Sequence, residues 1–268
     1  MDNESLKRQF AGIGARVKVG EVKVVRSGIV RMRFDAGINI GVDAQGEFFD
    51  IKIDSEDPRD YRVIDLRPEQ RHLLLMSEND RAKFLCGFDE RHWFVCAVPG
   101  EGVTSVRSAM EALQPAEVRQ AVGSQVKRAK NRLRRRNEAF VRQGEWFFIP
   151  EPNLTVEESF VRRNEPLRRG WGSKPHMCQY AYRASGELVM VCDRHPAGVP
   201  MNSYGKILRK NPKARSWNWR QMRRDAEVYV RGRVWHPDHK TLVLGCWHRV
   251  LMNTEHLAPG RSNVTFLD

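Results

Sequence analysis

What most constrains this chain is its punctuation. Short runs that are apolar, or that alternate apolar with polar residues, recur along it, and most end in residues that reverse a strand. "INIGVDAQGEFFDIKID" predicts a hairpin turning at Asp43–Gly46. "RHLLLM", "AKFLCGF" and "WFVCAVP" predict further strands, the last two joined by the Asp-Glu-Arg between Phe88 and His92. "MCQYAYRASGELVMVC" predicts a hairpin through Ala184–Glu187, with Gly186 in the turn. "VWHPDHKTLVLGCWHRV", Val234–Val250, predicts another, turning on His-Pro-Asp-His.

Helical signals are fewer. "TSVRSAMEALQPAEVRQAV" offers a start at Thr104 or Ser105, with Val106, Met110 and Leu113 at helical spacing, and Pro115 suits the first turn of a second helix. "SWNWRQMRRD" reads as a short helix capped by Ser216. Residues 151–175 read as irregular, and the chain after Asn253 as edge structure or poorly ordered. The class expected is therefore α+β, with antiparallel β-hairpins predominating and a few short helices. Two subregions are expected: a β-rich N-terminal region over 1–100 and a basic α+β region over 127–268, with a helical connector over 101–126 between them. One echo, "QGEFFDI" (Gln45–Ile51) and "QGEWFFI" (Gln143–Ile149), does not extend further and reads as shared hairpin chemistry rather than duplication.

Length permits a sizeable core, and no run reaches the roughly 18 apolar residues of a membrane span. The N-terminus lacks the basic start and apolar centre of a secretory signal. Five scattered cysteines (Cys86, Cys96, Cys178, Cys192 and Cys246) make a poor disulfide framework, so a reducing, cytoplasmic location is expected. The net charge is +13, and its distribution says more than its size. Residues 123–235 hold 25 Lys/Arg against 10 Asp/Glu, while the rest of the chain holds 21 against 23. A basic region on a near-neutral body is the footprint of a polyanionic partner.

That region contains "KRAKNRLRRRN". If helical, it leaves only Ala129 and Leu133 to pack, so the fold gains little from it, whereas phosphates would use Lys127, Arg128, Lys130, Arg132, Arg134, Arg135 and Arg136 well. A solvated face or linker is the plainer reading. Downstream, Arg168 and Arg169 lead to Trp171, and Trp217 and Trp219 lie beside Arg220, Arg223 and Arg224. Arginine with aromatic rings suits single-stranded nucleic acid, where bases stack and guanidinium groups meet phosphates. The tryptophans also make sense as core residues.

Two constellations could carry chemistry. If the Ala184–Glu187 turn pairs its flanks, His176, Cys178, Cys192 and His195 gather at one end of a hairpin, the donor set of a tetrahedral zinc site. The spacing is not that of a paired Cys-x2-Cys knuckle, and both cysteines also suit strand interiors. In the second constellation, His236 and His239 flank Pro237-Asp238, with Cys246 and His248 nearby on the next strand. Such a set could hold a divalent metal. It could also run metal-free phosphodiester cleavage, with His236, His239 and His248 as acid and base and Lys240 stabilising the charged phosphorus centre. Turn chemistry alone accounts for Pro237 and Asp238. Whether His248 meets the turn histidines depends on register, which a slip of one residue inverts. No Gly-rich phosphate loop, G-x-S-x-G or H-E-x-x-H motif is present.

The expected partner is nucleic acid, RNA or single-stranded DNA rather than duplex read by sequence, since no finger or recognition-helix motif occurs. Two other functions fit the same residues: a phosphodiester-cleaving enzyme using His236, His239 and His248, and an accessory subunit that meets other proteins in a nucleoprotein complex; zinc or another divalent metal is a candidate cofactor. No membrane role is expected.

Overall fold

A computed structural model of the chain describes residues 3–21, 26–27, 30–31, 37–53, 61–77, 81–168 and 174–257. It shows an α+β fold dominated by antiparallel strands. The chain divides into two compact units: one runs to Arg119 and takes the chain back from Asn253, and the other is Gln120–Met252.

The first unit opens with a helix, α1 (Asn3–Gly12), where the alternating pattern of the first sixty residues predicts only strands. Then come β1 (Val17–Glu21), the two-residue strands β2 (Arg26–Ser27) and β3 (Val30–Arg31), β4 (Gly37–Asp43) and β5 (Gly46–Ile53). The hairpin at Asp43–Gly46 forms as predicted, but β1 joins β5 in parallel, a pairing that hairpin logic does not supply. A four-stranded antiparallel sheet follows: β6 (Tyr61–Arg67), β7 (His72–Ser77), β8 (Lys83–Asp89) and β9 (His92–Val98). Consecutive leucines in β7 make sense because side chains alternate faces and both faces are covered. Leu73, Leu75 and Cys86 pack with Phe10, Ile13 and Phe49. Leu74 and Leu85 pack with Val106, Ala109 and Leu113.

Ser105 caps α2 (Val106–Ala112) with a reciprocal bond to Ser108, and Pro115 immediately precedes α3 (Ala116–Gln125). Of the chain after Asn253, Thr254–Leu257 form a short 3-10 turn that is tied in, and residues 258–268 lie outside the described residues. Glu255 is 1% exposed and accepts from the Ala97 amide, and the Thr254 hydroxyl donates to the Ala112 carbonyl.

The second unit holds β10 (Val141–Gln143), β11 (Trp146–Pro150), β12 (Arg162–Leu167), β13 (His176–Ala184), β14 (Glu187–Cys192), β15 (His195–Pro200), α4 (Met201–Lys210), β16 (Arg220–Arg224), β17 (Glu227–His236) and β18 (His239–Met252). Six of these strands form a sheet in the order β10-β11-β18-β17-β13-β12, and β15-β14-β16 form a smaller one. Trp146, Phe148, Val228, Val230, Val234, Leu244 and Val250 make the core of the large sheet.

Three expectations are corrected here. First, residues 151–175 are not wholly irregular, since β12 lies within them and pairs with β13. Second, the helix expected at Ser216–Asp225 is a short 3-10 turn, Pro212–Ser216, followed by a strand. Opposite β14, Met222 pairs with Val189, and alternation against that strand overrides the helical spacing of Trp219 and Met222. Third, the Ala184–Glu187 stretch is a bend, not a hairpin. Ala184 pairs with Glu227 and Glu187 pairs with Arg224, so three steps along one strand match three steps back along the other. The ribbon β13-β14 against β16-β17 therefore runs on without reversal, and changes sheet at residues 185–186. Ser185 (φ 57), Gly186 (φ 79) and Asp225 (φ 55) supply the bend. A Cβ on Gly186 would lie 2.8 Å from the Arg224 carbonyl oxygen, so only glycine fits there.

The echo "QGE" sits in two turns of different register. Gly46 is the strand residue opposite Asp43, whereas Gly144 is the first residue of the loop between Gln143 and Trp146.

Candidate functional site

Three turns or strand ends of the second unit meet at one place. His236 and His239 are paired across the β17–β18 turn. Neither Pro237 nor Asp238 has a positive φ, as expected of a type I turn with proline at its second position. The first residue of β13, His176, lies against both. Its ring centroid is 4.3 Å from that of His236 and 5.4 Å from that of His239, and those two lie 5.0 Å apart. The third contributor is the β10–β11 turn. Gly144 (φ 56) occupies its first loop position, as in type II′ turns. A Cβ there would lie 3.0 Å from His239 Nε2 and 3.5 Å from His176 Nε2. Glycine thus leaves open the space that the imidazole edges face.

One donor atom from each of His176, His236 and His239 falls within 4.8 Å of the others, close enough for the three to hold a metal ion. This is the one such group among the described residues. His176 is 2% exposed and the His236 side chain 7%. Burial pulls the His176 pKa down to about 3, with the neighbouring rings of His236 and His239 adding to the effect. Burial also lowers that of His236, and Asp238, Glu145 and a hydrogen bond to the Lys174 backbone act in the opposite direction. His176 and His236 are therefore neutral near pH 7, the form in which imidazole binds a metal. The mouth carries an ion pair, Lys174 Nζ to Asp238 Oδ2 at 3.0 Å, and the Asp238 amide donates to His236 Nδ1 at 3.2 Å.

The pocket also holds polar atoms with nothing to bond. Both ring nitrogens of His176 are buried and find no hydrogen-bond partner among the described residues, and the same holds for Gln143 Oε1 and Trp146 Nε1. The Trp146 ring lies edge-on to His176, and the Gln143 amide is anchored by its Nε2, which donates to the Lys240 carbonyl at 2.7 Å. Each buried polar group left without a bond costs about 1–3 kcal/mol.

The zinc set expected at His176, Cys178, Cys192 and His195 does not assemble. Because the ribbon bends instead of reversing, Cys178 and Cys192 stand on opposite sides of the bend and in different sheets. Cys178 faces the core, where burial raises its thiol pKa to about 12. Cys192 pairs with His195 across the Asp193-Arg194 turn. Of that set only His176 reaches the histidine pocket.

His248 does not reach it either. It pairs with Val230, six residues from His236 and so about 20 Å along the strand. There it is buried, its Nδ1 lies 2.9 Å from the Cys246 carbonyl, and burial lowers its pKa. Lys240 follows His239 on a strand and therefore points to the other face, where it is exposed. Local sequence signals bring together two of the three pocket histidines and assign the third, His176, to a different constellation. They give no role to Gly144, whose Gln-Gly-Glu turn no local rule connects with a histidine.

A second constellation lies on β14, β15, β16, α4 and the Pro212–Ser216 turn. The His195 and Trp219 rings stack at 5.5 Å and 12°, Trp217 lies 6.0 Å from both, and Tyr204 meets Trp219 edge-on. The Arg194 guanidinium covers Trp217 at 4.4 Å. Trp219 Nε1 donates to the Ala214 carbonyl at 2.7 Å, which fixes that ring. From Arg194 to Arg224 the chain carries nine Lys/Arg and no acidic residue. Arg194, Lys206, Arg209, Lys210, Lys213, Arg215, Arg220 and Arg223 are exposed. Arg224 pairs with Glu187, and Arg223 also donates to the Ser185 carbonyl.

The run Lys127–Asn137 is an ordered loop with one 3-10 turn, Ala129–Asn131, rather than an α-helix. Asn137 ties it: its side chain donates to the Asn131 and Arg132 carbonyls and accepts from the Ala139 and Phe140 amides. Lys127, Arg128, Lys130, Arg134 and Arg136 are exposed, and Arg132 and Arg135 are half-buried. Arg168 is exposed, and Arg169 and Trp171 lie outside the described residues.

No known family, curated protein or solved structure matches this chain.

Proposed function

We propose that this protein grips nucleic acid, RNA or single-stranded DNA, through the second unit. One observation carries the reading: the ordered Arg194–Trp217–His195–Trp219 array lies within a span of nine cationic and no acidic residues. Guanidinium groups and lysines would meet phosphates, and a base would take the place of Arg194 on the outer face of Trp217. The Lys127–Arg136 loop supplies a second cationic surface. Other proteins of a nucleoprotein complex would meet the same nucleic acid, and a cytoplasmic location suits a chain whose five cysteines form no disulfide.

The test is the salt dependence of anisotropy for a labelled single-stranded oligonucleotide. Arg194→Glu with Lys213→Glu and Arg215→Glu should weaken binding and flatten the log–log slope by about 2, at roughly 0.7 for each phosphate no longer neutralised. An unchanged slope would remove this face from the interface.

Hydrolysis of phosphodiesters is a second reading, favoured by the three histidines close enough to hold a metal ion. Zinc or another divalent ion bound there would supply a hydroxide at neutral pH. In this reading His176, His236 and His239 hold and orient the ion, and Lys174 and Asp238 line the approach. Cleavage of labelled RNA or DNA that depends on added metal would support it.

A further inference from the structure

We infer that His176, His236 and His239 are the three protein ligands of a zinc-type cation site, with its remaining coordination position open towards Gly144. This deepens the hydrolytic reading by choosing among divalent ions and by placing the open coordination position. It rests on that reading's histidine cluster but does not require hydrolysis.

The donor set selects the ion. Three imidazoles with no carboxylate among them suit zinc and its late first-row neighbours, and do not suit magnesium or calcium, which take oxygen ligands. The separations are compatible. Tetrahedral zinc with bonds of about 2.0–2.1 Å needs nitrogens roughly 3.4 Å apart, so the widest pair, at most 4.8 Å, must close by no more than about 1.5 Å. Side-chain rotation must close that gap and turn the stacked rings, 4.3 Å apart for His176 and His236, so that their edges converge on the ion.

Two observations independent of spacing point to a ligand. The first is His176, 2% exposed, with neither ring nitrogen hydrogen-bonded. A buried imidazole in a well-packed core is normally satisfied, and this one finds no hydrogen-bond partner among the described residues. The second is Gly144, whose absent Cβ leaves space at the Nε2 atoms of two of the three rings. The ion would tie together the start of β13, the β17–β18 turn and the β10–β11 turn, which the sheet order β10-β11-β18-β17-β13 already brings to one end.

The experiment titrates zinc into the full chain after chelator treatment, by competition with a chromogenic chelator, and repeats the loading with cobalt to read its visible absorption. A single ion per chain is expected, with the cobalt spectrum of a tetrahedral site lacking thiolate charge transfer. His239→Phe keeps a ring against His176 but removes a ligand, and should weaken binding more than about 100-fold, beyond the loss usual for an outer-shell partner. Gly144→Ala leaves every ligand in place and should weaken binding by filling the open position. Cys192→Ser should bind as the wild type does. Absence of stoichiometric zinc overturns the site, as does retention of full affinity in both His239→Phe and Gly144→Ala, or loss of binding in Cys192→Ser. A parallel cleavage assay separates the two readings. Zinc bound without cleavage keeps the site and ends the hydrolytic reading, and absence of zinc binding ends the site even where another divalent ion supports cleavage.

Discussion

His176 and His195 occupy matching places, each at the start of a strand in the second unit, and each lies against other rings. Their surroundings differ completely. His176 is buried among imidazoles, beside a glycine and an anchored glutamine, with both nitrogens unbonded. His195 is half-exposed, stacked on Trp219 in a stretch of cationic residues. One pocket is buried and, among the described residues, leaves both His176 nitrogens unbonded, and so is suited to one small ion. The other is open, rigid and positively charged, and so suited to a long, flat, anionic chain. Burial, more than residue type, assigns the chemistry.

The largest expected effect tests the buried histidine pocket. The folded-state pKa of His176 is about 3, below its ordinary value of 6.5. Between those values the unfolded chain takes up a proton that the folded protein refuses, so stability falls as pH drops through this window. The loss in metal-free protein is roughly 4 kcal/mol at pH 3, with His236 and His248 acting in the same direction. Urea denaturation across pH in the presence of chelator measures it, and His176→Phe should remove most of the slope. A wild-type curve as flat as that of the variant would show that burial does not hold the His176 ring neutral.

The next effect uncouples the two regions. Gly186→Ala places a Cβ against the Arg224 carbonyl at a positive φ, and should cost about 2 kcal/mol or more. The bend carries β14 and β16 but not the histidines, so oligonucleotide affinity should drop while zinc affinity holds. Equal loss of both would mean that the regions are not separable.

Trp217→Ala should weaken single-strand binding by about 1–3 kcal/mol without changing the salt slope, because stacking releases no counterions. A changed slope would assign Trp217 to positioning Arg194 instead. The smallest effect concerns thiols. Cys178 is fully buried and its pKa is raised to about 12, so iodoacetamide should leave it unmodified in native protein while Cys246, half-exposed, reacts. Mapping of alkylated peptides checks the order, and early modification of Cys178 would show that the core of the large sheet opens.

Much of the fold is legible in the sequence because its signals are local. Asp43–Gly46, the Ser105 cap, Pro115 and the Pro237-Asp238 turn act over four residues or fewer, and the structure places each as its chemistry requires. Gly186 stands out in the sequence, yet its role does not. A positive φ serves a reversal or a bend equally well, and the difference lies in whether β14 finds β13 or β16. Arg220–Arg224 reads as helix for the same reason, since Met222 answers to Val189 on a strand more than thirty residues earlier.

The sequence by itself determined the class, most turns, the concentration of positive charge after residue 123 and the closeness of His236 to His239. The tertiary structure alone decided that His176 joins them, that His248 and Cys178 do not, and that Gly144 faces the group. Turn geometry is set by a few backbone angles and the side chains that tolerate them. Which strands lie side by side, and in what register, is set by the packing of faces drawn from distant parts of the chain, and no short stretch encodes that.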